Sequence, residues 1–264
     1  MWFYTAIMSL LIDMINIPFD NGANMIGSRN SPKILTEHLD FLNISKTYDI
    51  DTNNFITNIL SDGYNAVFKT MADGKVPVVL GGDHTVAISS VFASNDYCNL
   101  CDKKLGVIWC DAHADFNTIE TSITKNIHGM PIAVLCGHTL ESLVLGKFLD
   151  TDQFGYYGVR DVDHLELLRM QEYDMKIFDN LDDIDKWIKQ FDYIHVSFDI
   201  DCLDPSVTNC VNTPVPNGIT KQQIKEVFRK VKKSRKLCAL DIVEYNSDKG
   251  DDHNIVVDIV KELF

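Results

Sequence analysis

The stretch "WCDAHADFN", residues 109 to 117, sets two aspartates and a histidine at alternate positions and ends on an asparagine. Along an extended chain, positions i, i+2 and i+4 face one side, so Asp111, His113 and Asp115 are expected to point together. Ionisable groups gathered directly behind the apolar run "LGVIW" are intolerable in a core unless they are paired or bind metal. The stretch "HVSFDIDCLDP" repeats the spacing with Asp199 and Asp201, and "VVLGGDH" places His84 behind another apolar run. The candidate ligands are therefore His84, Asp111, His113, Asp115, Asp199 and Asp201. Cys110 and Cys202 fall on the opposite parity and are not expected to be ligands. Four ionised carboxylates balance two divalent cations, whereas a single cation would leave two negative charges over. Oxygen-rich donors with imidazole and no thiolate favour Mn²⁺ or a similarly hard ion. Two ions held about 3.5–4 Å apart by bridging carboxylates can share one water or hydroxide, and hydrolysis is the chemistry that follows. Each aspartate alone would be read as a turn or cap residue. Their recurrence at three strand ends argues against that reading.

The elements that must position these groups follow from the apolar pattern. The runs "MINIPF", "VPVVLGG", "LGVIWCD", "FGYYGVR", "YIHVSFD" and "LCALDIVE" alternate with helical patterns such as "SPKILTEHLDFL", "TNNFITNILSDGYNAVFKTMA", "TKQQIKEVFRKVKK" and "DDHNIVVDIVKELF". That alternation predicts an α/β fold: a parallel sheet with crossover helices on both faces, an α/β/α sandwich. No internal repeat, low-complexity segment or linker interrupts it, so residues 1–264 are expected to form a single domain. Ligands of such sheets bind beyond the carboxyl ends of the strands. Four runs deliver ionisable residues there: His84, then Asp111, His113 and Asp115, then Asp199 and Asp201, and finally Glu244.

Bulk properties narrow the partners. A net charge of −14 lacks the basic footprint that phosphate recognition requires, so nucleic acid is excluded, while a cationic small substrate is compatible. Seven cysteines without framework-like spacing point to a reducing compartment, and a cytoplasmic protein is expected. Cys98 and Cys101 form a lone CxxC, which cannot close a zinc site and is read as two loop thiols. The opening "MWFYTAIMSLLIDMINIPFD" has no basic start, and Asp13 interrupts it short of a spanning length. Its second half reads as a first strand, and no membrane association is expected.

The motifs resemble those of the manganese ureohydrolases, and most closely the arginases. "GGDHT", "DAHADFN" and "SFDIDCLDP" look like the three metal signatures of that family, in order, and "NIHGMP", "GVRDVD" and "LDIVEYN" are further matches. The resemblance runs from "IPFDNGANMIGSRNSP" to Glu244, nearly the whole chain. It implies that His84, Asp111, Asp115 and Asp199 bind one Mn²⁺, and that His113, Asp111, Asp199 and Asp201 bind the other, with Asp111 and Asp199 bridging. It implies that His128 is a proton shuttle, that Asp115 receives a proton, and that Glu244 holds the guanidinium of the substrate, with Thr213 near the same pocket. Asn117, Thr124 and Asn126 match positions that receive the α-carboxylate of arginine, and Asp163 matches one that contacts its α-amino group. The products would be urea and ornithine, and a homotrimer is the usual assembly. His38, His138, His164, His195 and His253 match no motif position and are read as structural or solvated.

Some positions depart from the family pattern. Asn212 stands where glycine is usual, and "PVPNGIT" carries Asn217 and Gly218 in place of a glycine pair. Lys125 replaces a small residue, and a positive charge near the substrate rim is expected from it. Agmatine or a related guanidino compound is the alternative substrate. A catalytically silent, ligand- or partner-binding member of the fold is the alternative of a different class. The presence of every expected ligand, of His128 and of Glu244 counts against the silent reading.

Overall fold

The computed structural model describes residues 10–264, and the apolar start "MWFYTAIMS" lies outside the described residues. Eight strands form one sheet: β1 (Ile12–Ile17), β2 (Ile44–Asp49), β3 (Val76–Gly81), β4 (Leu105–Cys110), β5 (Phe154–Tyr157), β6 (Lys176–Ile177), β7 (Tyr193–Asp199) and β8 (Leu237–Val243). Their order is β2-β1-β3-β8-β7-β4-β5-β6, and every pairing is parallel. The six expected runs are all strands. The pattern did not reveal β2, whose "ISKTYD" lies at the sheet edge with no buried residue, or the two-residue β6 at the opposite edge. Edge strands need not bury side chains, so they carry little apolar signal.

Among the described residues, eight helices cover the sheet: α1 (Ser31–His38), α2 (Ile56–Ala72), α3 (Ala87–Leu100), α4 (Pro131–Leu135), α5 (His164–Glu172), α6 (Leu181–Ile188), α7 (Lys221–Ser234) and α8 (His253–Val260). One apolar layer unites α1, α6, α7 and α8 with the sheet, and the other unites α2, α3, α4 and Met170 of α5 with its opposite face. Strand alternation feeds both layers: Val196 and Phe198 of β7 enter the first, whereas Val107 and Trp109 of β4 enter the second. This is the expected α/β/α arrangement.

Helix boundaries differ locally from the apolar pattern. The stretch 52–55 stays outside α2, because Asp51 and Asn54 accept hydrogen bonds from the backbone N–H groups of Asn53 (2.9 Å) and Phe55 (2.8 Å), a local alternative to the helix. Beyond α1, Leu39 and Leu42 remain buried without being helical. The start of α7 is set by Thr220 and Gln223, whose side chains and backbones bond reciprocally. No helix among the described residues is long and apolar enough to cross a membrane.

Candidate dimetal active site

The four central strands β3, β8, β7 and β4 are neighbours, so residues just beyond their carboxyl ends meet above one point of the sheet. Convergence does not come from strand alternation, as expected for 111–115, because β4 stops at Cys110. A turn replaces it. His113 N–H donates to Asp111 Oδ1 (2.7 Å), Ala112 N–H donates to Asp201 Oδ1 (3.1 Å), and Asp115 sits in the left-handed region at φ 50°. Asp201 likewise lies in the 3-10 turn Ile200–Cys202, and its N–H donates to Asp199 Oδ1 at 2.7 Å. Backbone N–H groups are what aim these carboxylates.

Two sets of donor atoms result. In the inner set, His84 Nδ1 lies 2.9 Å from Asp111 Oδ2, 3.1 Å from Asp115 Oδ2 and 3.2 Å from Asp199 Oδ2. In the outer set, His113 Nδ1 lies 3.4 Å from Asp111 Oδ1 and 3.0 Å from Asp201 Oδ2. Asp111 thus turns one oxygen to each set, whereas Asp199 turns one oxygen to the inner set and uses the other on Asp201 N–H. Cys110 and Cys202 are buried and belong to neither set, as expected.

The donors fit divalent metal. His84 Nδ1 and Asp115 Oδ2 are buried with no hydrogen-bond partner, an arrangement that costs free energy unless a cation satisfies them. Without a countercharge the carboxylates resist ionising together. Burial, then Asp201 and Asp111, push Asp199 well above the usual carboxylate range, and burial with Asp111 raises Asp115 to about 6. Asp111 alone is held well below that range, because His113 and His84 outweigh the effect of burial.

Above the donors opens a cavity of about 390 Å³. Asn117, Thr124, Asn126, His128, Asp163, Thr213 and Glu244 all line it, together with every candidate ligand except Asp111, which lies beneath. Glu244 adopts a left-handed backbone at φ 63°. Its Oε1 accepts from His84 N–H (3.0 Å) and faces His128 Nδ1 (3.1 Å), while Oε2 is buried with no partner. Burial opposes the charge on His128, but Glu244 outweighs it and raises the imidazole to about 9. Thr213 Oγ1 donates to Asp201 Oδ2 at 2.9 Å, so this residue touches a candidate ligand as well as the cavity. Asn117 is held from both ends, by Thr121 Oγ1 on its carbonyl (2.9 Å) and by Asp163 Oδ2 on its amide (3.4 Å).

Several lining residues were not singled out from the sequence: Ser122 and Glu166 fall outside the motifs, while Asp161, Asn24 and Met25 lie within quoted stretches without having been given a role. Glu166 accepts a hydrogen bond from Phe116 N–H at 2.8 Å, and burial, above all, raises it to about 8. Its signal was present: it follows Asp163 by three residues in the first turn of α5, where that spacing shares a face. The departures from the family pattern also acquire reasons. Lys125 directs its ammonium to the Ile119 carbonyl and does not line the cavity, so its charge closes its own loop rather than the substrate rim. Asn212 accepts from Asn246 Nδ2 (2.7 Å) and donates to the Met25 carbonyl (3.4 Å), tying two loops at the cavity wall. Asn217 holds the left-handed conformation (φ 63°) that a glycine would hold, and at Gly218 a Cβ would come within 2.4 Å of Asp204 N. Among the other histidines, His195 is fully buried, His38 and His253 pack ring against ring, and His138 takes a hydrogen bond from Arg169. The expectation of two loop thiols fails for Cys98, a buried residue of α3, while Cys101 is exposed just past the helix end.

Residues 12–264 match the sequence profile of the arginase family. The chain belongs to the arginase family. An arginase of Coccidioides posadasii (strain C735) is 34% identical over 207 residues, which is 68% of this chain and 62% of the relative. The match thus spans about three fifths of that protein's length. The native structure of arginase from Bacillus caldovelox superimposes with a TM-score of 0.89 at 27% identity, covering 97% of this chain and 98% of the other. The arginase of Entamoeba histolytica, solved in complex with L-ornithine, gives a TM-score of 0.87 at 25% identity, over 97% and 99% of the two chains.

Proposed function

We propose that this arginase-family protein, a single domain over residues 1–264, hydrolyses the guanidinium group of L-arginine to L-ornithine and urea with two Mn²⁺ ions per chain. The observation that carries this reading is the free oxygen of Glu244, buried and unpartnered beside two converging nitrogen–oxygen donor sets. The inner set would be His84, Asp111, Asp115 and Asp199. The outer ion would be held by His113, Asp111, Asp199 and Asp201. Bound there, the ions lower the pKa of water toward neutrality and so supply a nucleophile.

The side chains around them do the rest. Glu244 Oε2 accepts a guanidinium N–H, a charge-assisted bond that orients the planar group over the donor sets. Asp115, which faces both the cavity and His84, accepts a proton from the attacking water. His128 is 20% exposed and 3.1 Å from Glu244, so it can draw a proton from solvent and deliver it to the departing amine. At the rim, Asn117, Thr124 and Asn126 offer donors for an α-carboxylate, and Asp163, with Glu166 beside it, accepts from an α-ammonium. The L-ornithine in the Entamoeba arginase structure carries both of these groups. The compartment we propose is reducing and cytoplasmic, on the ground of seven cysteines without framework-like spacing.

Urea release from arginine and from agmatine, with and without added Mn²⁺, tests the reading. Agmatine lacks the α-carboxylate, so only the rim separates the two substrates, and a higher kcat/KM for arginine is expected in the Mn²⁺-loaded protein. Equal values would remove the arginine assignment and leave a guanidino hydrolase. No urea from either substrate would favour the catalytically silent alternative.

A further inference from the structure

Behind the donor sets, on the side away from the cavity, lies a chain of hydrogen bonds through the core. His84 turns Nδ1 to the inner carboxylates and Nε2 to Ser197 Oγ, at 2.8 Å. Ser197 Oγ lies 3.5 Å from Asp241 Oδ2, which also accepts from Ser90 Oγ at 2.7 Å and contacts His195 Nε2 at 2.9 Å. His195 Nδ1 in turn lies 3.0 Å from Ser94 Oγ. His195, Ser197 and Asp241 occupy the faces of β7 and β8 that meet α3, which carries Ser90 and Ser94. All are fully buried, and none lines the cavity.

A carboxylate inside a core is costly unless its bonds recover the lost hydration. Asp241 recovers little: Oδ1 has no hydrogen-bond partner, and every contact falls on Oδ2. Elsewhere on the same face of β8, Ala239 and Val243 are apolar, so this layer accommodates aliphatic residues. The hydrogen atoms can be followed along the chain. For Nδ1 to offer a lone pair, His84 must carry its proton on Nε2, which then donates to Ser197. Ser197 passes its own hydroxyl proton toward Asp241. In the matching arrangement His195 donates from Nε2 to Asp241 and accepts from Ser94 on Nδ1. Each proton has one acceptor, and the negative charge of Asp241 reaches His84 through a single hydroxyl.

We infer that Asp241 and Ser197 are positioning residues for the inner metal ion, locking the tautomer and ring of His84, with His195 and Ser90 holding Asp241 in place. The inference rests on the dimetal reading above. The outer histidine has no such support: the carboxylate of Asp161 near His113 Nε2 is 3.9 Å away and 67% exposed. The relay therefore acts on one ion of the two. Partners behind a ligand histidine are worth about 10–100-fold in metal affinity.

The test is a calorimetric titration of metal-stripped protein with Mn²⁺, comparing the parent with Asp241→Asn and Ser197→Ala. The metal-free fold is checked by circular dichroism and cooperative melting. The parent should bind two ions, and each variant should weaken one of them about 10-fold or more while leaving the other within about 3-fold. Should Asp241→Asn fail to fold, Ser197→Ala, which only removes a hydroxyl, carries the test alone. Unchanged affinities for both ions in a folded variant would overturn the inference, as would a parallel loss at both sites, the mark of general loosening. A parent that binds no Mn²⁺ would overturn the dimetal reading and this inference with it.

Discussion

Asp115 and Glu244 hold a left-handed backbone that costs a non-glycine residue about 1–2 kcal/mol, and both face the cavity. No sequence pattern announces such strain, since it is imposed by the turns on either side. Residue types, by contrast, were legible where spacing or motif marked them: each aspartate and histidine so singled out lies in the donor sets or the cavity, whereas Glu166 and Ser122 carried no such mark. How the two sets share Asp111 was not readable from spacing, because it depends on which way each oxygen turns. That division makes a prediction. Asp111→Asn should weaken both Mn²⁺ ions, whereas Asp115→Asn should weaken only the inner one, as read by two-site metal titration. His128 makes another. Its raised pKa of about 9 means that its bond to Glu244 stabilises fully below an ordinary imidazole value of about 6.5 and is lost as pH rises through about 9. The melting temperature of metal-free protein should fall across that window, and His128→Asn should flatten the fall. The same variant should keep both ions while turnover drops about 10²–10⁴-fold. A lost ion, or undiminished turnover, would give His128 another part.

At the scale of elements, loops fix the site more than strands do. Alternation along "YIHVSFD" puts His195, Ser197 and Asp199 on one face, a polar stripe visible in the sequence and carried into the core by β7. The same rule misleads for "DAHAD", where the strand has already ended and backbone N–H groups take over the aiming. Arg160, in the turn after β5, shows how tightly the loops are joined. Its guanidinium donates to the carbonyls of Gly158 (2.9 Å), Cys202 (3.0 Å), Asp201 (2.9 Å) and Val215 (2.8 Å), with longer bonds to Leu203 and Pro216. One planar fork thus ties β5 to the turn bearing Asp201 and to the loop after Thr213. An ammonium cannot span that fan of acceptors. Arg160→Lys should cost about 3 kcal/mol in denaturant unfolding and weaken the outer ion more than the inner one. Equal effects on the two ions would show that the clamp serves the fold alone.

For the whole molecule, the alternation of apolar runs with helical patterns predicted the class of fold, but not the order of the strands, which depends on pairings between distant segments. That order has a consequence for synthesis. Of the described strands, β8 is the last to be made, yet it lies at the centre, pairing with β3 on one side and β7 on the other. Until it emerges from the ribosome, β2-β1-β3 and β7-β4-β5-β6 are two half-sheets, each with an unpaired inner edge formed by a strand that is buried in the finished fold. Open edges of this kind invite association with other chains. Nascent chains halted at residue 236 should therefore be protease-sensitive and prone to aggregate, and resistance should appear in one step once residues through Phe264 are free. Stepwise protection of the first half-sheet alone would contradict this. The growing chain is most vulnerable just before the strand that leads into Glu244 arrives to join its halves.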